Sequence, residues 1–100
     1  METQKTVAEW ETSVFGRFGV RGSNARHAAR TNCEMGELLE ALTSDDNNPK
    51  AAEEIAYVII MLYGLAERLG VDALEEVDKK MSINRSRGWE LDGTGHGQHV

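Results

Sequence analysis

The residues of this chain best suited to chemistry are glutamates at helical spacing. Glu34 and Glu37 share one apolar-periodic segment, and Glu53 and Glu54 open the next. Side chains three apart on a helix are surface neighbours, about 5–6 Å between Cβ atoms, so Glu34 and Glu37 project from one side. Carboxylates grouped this way repel one another unless a cation or proton lies between them. If the second segment packs beside the first, Glu34, Glu37 and Glu54, with Glu53 in reserve, form a site for Mg²⁺. Magnesium keeps waters and substrate phosphates in an octahedral oxygen shell, so one or two carboxylates per ion suffice and two or more ions can be held. Paired ions about 3.5–4 Å apart can clamp both oxygens of a phosphoryl displacement. The plain alternative is a solvated acidic helix face.

A second set of residues favours the site. Lys80, Asn84 and Arg87 fall at i, i+4 and i+7 and line one stripe of a further helix. Their cationic and amide groups suit phosphate oxygens. Arg30 lies four residues before Glu34 and His27 seven before it, giving the acidic face a basic end. Acids for metal beside bases for phosphate would suit a nucleotide polyphosphate. Surface solubility, or ion pairing with neighbouring acids, is the competing reading of each cation.

Four helices must position these groups. Thr6-Val7-Ala8-Glu9 resembles a capping box, followed by Val7, Trp10 and Val14 through to Phe15. The stretch from Phe15 to Asn24 holds Gly16, Gly19 and Gly22 and reads as a connection, with Ser23 or Asn24 capping the next helix. That helix runs from about Ala25 to Leu42 on Ala28, Ala29, Cys33, Met35, Leu38, Leu39 and Leu42. Asn48-Pro49 reads as an N-cap with proline at the first helical position. The third helix, about Pro49 to Leu69, is apolar on nearly all sides from Ile55 to Ala66, the pattern of a buried bundle centre. Gly70 closes it. Asp72-Ala73-Leu74-Glu75 starts a fourth, striped by Leu74, Val77 and Met81 and ending near Gly88. Residues 89–100 are Gly-rich and read as a tail or docking arm of one domain spanning 1–100. His96 and His99, three apart there, read as part of an irregular tail in preference to a metal site. Arg17 and Arg21 among the glycines do not make a Walker A loop, which needs Gly-Lys-Ser/Thr opening a helix.

Composition narrows the field. The net charge of −6 argues against a nucleic-acid partner, which needs clustered Lys and Arg. Cys33 is the single cysteine, so no internal disulfide forms and a reducing compartment is the simpler reading. The N-terminus has no apolar signal core and no run approaches the ~20 apolar residues of a membrane span, so a soluble cytoplasmic protein without a membrane partner is expected. Cys33, Met35, Met61 and Met81 read as core fillers. An all-α bundle of 100 residues covers an apolar central helix poorly, so oligomerisation is expected to complete it.

Glu34-x-x-Glu37, Glu53-Glu54-Ile55-Ala56 leading into an apolar helix, and Lys79-Lys80-Met81-x-x-Asn84-Arg85-x-Arg87 together resemble the MazG-like all-α nucleoside triphosphate pyrophosphohydrolases, over roughly residues 25–90. Within that superfamily the chain is most similar to small phage and bacterial purine dNTP pyrophosphohydrolases of the MazZ type, through Trp10, Phe15-Gly16 and the segment Asn84 to Trp89. The resemblance implies a four-helix MazG-like bundle and hydrolysis of a purine (deoxy)NTP such as dGTP or GTP to the monophosphate and pyrophosphate. It implies two or more Mg²⁺ or Mn²⁺ ions held by Glu34, Glu37 and Glu54, and phosphate contacts from Lys80, Asn84 and Arg87. It also implies a homodimer or homotetramer, in the host cytoplasm if phage-encoded. The family pattern E-x-x-E, E-x-x-D is broken at its last position by Tyr57. A phenol is a poor ligand for a hard cation at neutral pH, so fewer carboxylates hold the metal, or Glu53 compensates, or activity is reduced or lost. Either Glu37 or Glu53 could take a proton from the attacking water. Arg30 extends the basic end, and Trp10 and Tyr57 are candidates to stack on the base, each equally able to be core. The rival reading is a non-catalytic nucleotide-binding or interaction module that lost turnover through Tyr57.

Overall fold

A computed structural model of the protein describes residues 1–15, 22–91, 93–94 and 97–99. Four helices follow in order: α1 (Gln4–Phe15), α2 (Asn24–Ser44), α3 (Ala51–Leu69) and α4 (Ala73–Ser86). Two short strands end the chain, β1 (Trp89–Leu91) and β2 (Gly97–His99). α3 is the hub, with α2 and α1 packed along it and α4 touching it sparsely. No helix among the described residues is long and apolar enough to cross a membrane.

The caps explain most of the boundaries. α1 begins earlier than the Thr6 box suggests, because Thr3 and Thr6 cap each other: the Thr6 N–H donates to Thr3 Oγ1 at 3.2 Å and the Thr3 N–H to Thr6 Oγ1 at 2.7 Å. Ser23 takes the α2 cap, accepting from the Arg26 N–H at 3.1 Å. Arg68 near the end of α3 fastens that entry, donating to Asn24 Oδ1 and to the Gly22 carbonyl. Asn48 and Pro49 form a turn ahead of α3 and stay outside the helix. Asn48 Oδ1 accepts from the Lys50 N–H at 3.0 Å while its Nδ2 donates back to the Ala41 carbonyl, joining the turn to α2. Gly70 ends α3 at φ 71°, ψ 27°, a left-handed conformation that favours glycine. Asp72 caps α4, accepting from the Glu75 N–H at 2.9 Å.

Burial departs from the apolar pattern. The buried positions of α2 are polar, His27 and Thr31, whereas Ala28, Ala29, Cys33, Met35 and Leu39 face outward. On α3 only Val58, Gly64 and Ala66 are buried, and Ile55, Tyr57, Ile59 and Leu62 remain exposed. The reading of α3 as an enclosed centre is therefore corrected within one chain: two helices cover two sides and leave the rest open. Cys33, Met35 and Met81 are likewise exposed and do not fill a core.

The tail also differs from an irregular arm. β1 and β2 pair antiparallel, Trp89 opposite His99, Glu90 opposite Gln98 and Leu91 opposite Gly97. The Trp89 indole N–H donates to the Asn84 carbonyl at 2.9 Å, which folds the hairpin's start against the end of α4. Gly16, Arg17, Gly19, Arg21 and His96 lie outside the described residues.

Candidate functional site

The antiparallel register of α2 and α3 brings the acids together. His27 Nε2 lies 3.0 Å from the Met61 carbonyl, and since a carbonyl only accepts, Nε2 carries the proton. From that tie, seven residues along α2 lead to Glu34 and seven back along α3 lead to Glu54, about 10.5 Å on each helix. Both carboxylates therefore arrive at one level. Between the two levels lie buried Thr31, whose hydroxyl donates to the His27 carbonyl, and buried Val58.

Glu34, Glu37 and Glu54 can each present a carboxylate oxygen within 4.8 Å of the other two. Glu34 and Glu54 are half-buried and Glu37 is exposed. Partial burial raises the Glu34 carboxyl above its ordinary pKa, helped by the charge and hydrogen bonding of Glu37 and by the charge of Glu54, with Arg30 pulling the other way. Three hard oxygen donors in mutual repulsion suit a divalent cation. Gly36, between two of these acids, has nothing within 4 Å of where a Cβ would stand, so that side of α2 is open.

The other candidates lie further out. Arg30 is exposed on α2, near enough to Glu34 to lower its pKa. Glu53 is exposed and outside the three-carboxylate group, since neighbouring helical residues diverge. Tyr57 is exposed one turn beyond Glu54, and Trp10 is exposed on α1, so neither serves as core. Lys80 is exposed and Asn84 half-buried on α4, with Arg87 at its cap. Among the described residues no hydrogen bond or ion pair joins these three to the carboxylates.

Gln4, His27 and Thr31 are the buried polar residues among those described, and sequence reasoning places His27 in a basic end and assigns nothing to the other two. His27 is an inward tie between helices and not part of a free basic end. The signal was available: His27, Thr31 and Glu34 form a polar stripe at i, i+4 and i+7. Gln4, buried at the start of α1, had no pattern to reveal it. Glu11 packs its carboxylate against Gly64 of α3, and burial raises its pKa against the opposing charge of His27.

With this geometry in place, residues 31–96 match the MazG-like family. The chain is 36% identical to a dATP/dGTP diphosphohydrolase of cyanophage S-2L over 95 residues, 95% of this chain and 89% of the relative. Among solved structures it is similar to the cyanophage S-2L MazG-like pyrophosphohydrolase bound to dGDP and three catalytic Mn²⁺ ions per active site. That likeness has a TM-score of 0.73 and 29% identity, covering 97% of this chain and 92% of the other.

Proposed function

The chain belongs to the MazG-like family, and on that premise we propose that it hydrolyses a purine (deoxy)nucleoside triphosphate, such as dGTP or GTP, to the monophosphate and pyrophosphate. The observation that carries this reading is the meeting of Glu34, Glu37 and Glu54 within 4.8 Å on two helices. The donor set fits Mg²⁺ or Mn²⁺: all oxygen, all anionic, with burial and then the neighbouring Glu37 and Glu54 pushing the Glu34 pKa up. A relative named for dATP and dGTP and a neighbour holding dGDP support a purine substrate.

When bound, divalent ions neutralise the polyphosphate and acidify water. The chain's own residues supply the rest. Glu34 and Glu54, half-buried and braced by the α2–α3 packing, hold their oxygens in place as ligands. Glu37, more exposed and shared with the metal set, takes a proton from the water that attacks the α-phosphorus; Glu53, one position before Glu54, is the alternative base. Lys80, Asn84 and Arg87 bind the departing pyrophosphate and offset its growing charge, and Arg30 steadies the phosphates from α2. Trp10 offers an exposed indole for stacking on the base.

A homodimer or homotetramer completes the fold in this proposal. Met35, Leu39, Ile55, Ile59, Leu74 and Val77 leave apolar surface on three helices that one chain does not cover. Light scattering showing a stable monomer would remove that part.

The test is pyrophosphate release from a panel of dNTPs and NTPs with Mn²⁺. Release from purine triphosphates, lost in Glu37→Gln, is expected. No hydrolysis of any member, with Glu37→Gln identical to the unaltered protein, would leave the binding-module reading that Tyr57 favours.

A further inference from the structure

We infer that Gln4 is a positioning residue for the phosphate-binding helix, an inference that rests on the activity proposed above. Its side chain is 8% exposed at the start of α1 and is fully engaged. Nε2 donates to Glu67 Oε1 of α3 at 2.9 Å and to the Val71 carbonyl at 2.7 Å. Oε1 accepts from the Ala73 N–H at 2.8 Å. One amide thus joins α1, the end of α3, the connection and the first residue of α4.

This matters because, among the described residues, α4 has little else to hold it. None of its residues is buried, and its contact with α3 is sparse. A first-turn N–H has no partner inside its own helix, so the Ala73 N–H is free to be used as an anchor. Asn84 stands eleven residues beyond, about 16 Å along the axis. A tilt of roughly 10° at the anchor would carry Asn84 about 3 Å, the length of a hydrogen bond. Lys80, closer to the anchor, would move less, and Arg87 more. Gln4 therefore sets where α4 presents its donors, while the carboxylates on α2 and α3 are held independently by the His27 tie.

The separation gives the test. In Gln4→Leu, KM for the triphosphate should rise about tenfold while kcat and Mn²⁺ affinity without nucleotide stay within about twofold. Combining Gln4→Leu with Lys80→Ala should raise KM by less than the product of the two single changes, because part of what Lys80 contributes is already lost when α4 tilts. Gln4→Met removes the acceptor and both donations while keeping the side chain's length, should raise KM alike, and serves if the leucine variant folds poorly. Hydrogen exchange should quicken at the α4 amides and not along α2. Unchanged KM in both variants, additive effects with Lys80→Ala, or equal loss of protection in all helices would overturn the inference. Absence of hydrolysis by the unaltered protein would count against the activity instead, and exchange would still decide whether Gln4 holds α4.

Discussion

Along the seam of α2 and α3, polar side chains of α2 turn inward and are engaged around Val58: His27 ties to Met61, Thr31 ties back to His27, and Glu34 meets Glu54. Along α4 nothing is buried, and Leu74 and Val77 lie open to solvent beside Lys80. The two regions divide the proposed work. The seam is a rigid frame that forces like charges together, which only a packed interface can do. α4 is a lightly held arm whose donors need no mutual strain. Metal binding should follow the seam, and substrate affinity should follow α4.

The largest expected effect lies at the seam. Glu37→Gln should lower pyrophosphate release by about 10²–10⁴-fold, the range for losing a general base, with helical circular dichroism unchanged. On α4, Lys80→Ala or Arg87→Ala should weaken triphosphate binding by about 10–100-fold, the loss of a charged hydrogen bond of ~1.5–3 kcal/mol. Mn²⁺ affinity of the nucleotide-free protein should not move in those variants, and if it did the division would fail.

Stability sharpens the contrast. Val58→Ala, at a buried seam position, should cost about 1–3 kcal/mol in urea unfolding. Val77→Ala should stay within about 0.5 kcal/mol in dilute protein, as for an exposed site. A cost for Val77→Ala that appears only as concentration rises would show a second copy covering α4. Gly36→Ala, with open space around it, should stabilise α2 by about 0.5–1 kcal/mol.

The smallest effect is a pH slope. Glu34 and Glu11 both have pKa values raised by burial. A carboxylate raised in the folded state contributes most stability below its ordinary pKa and loses it as pH rises through the raised value. Metal-free protein should therefore weaken as pH climbs out of the ordinary glutamate range. Added Mn²⁺ should remove the Glu34 share of that slope in melts followed across pH. A slope of opposite sign would contradict the crowding at the seam.

These differences also explain what could be read from the chain. Caps and carboxylate spacing are local: Gly70, Asp72 and the Glu34–Glu37 pair declare themselves within a few residues. Periodicity finds an apolar face but not what covers it, so Met35 and Leu39 looked like core and face outward. Gln4 acts across 63 to 69 residues of sequence, and no local pattern carries such a contact. The hairpin was hidden because glycines interrupt any alternation in residues 89–99.

The central claim is that Glu34, Glu37 and Glu54 jointly hold divalent ions. A Mn²⁺ titration of nucleotide-free protein, following the electron paramagnetic resonance of the free ion, tests it most directly. Saturable uptake by the unaltered chain should vanish when all three are replaced by glutamine, with the helices intact. Equal uptake by both proteins would contradict the account.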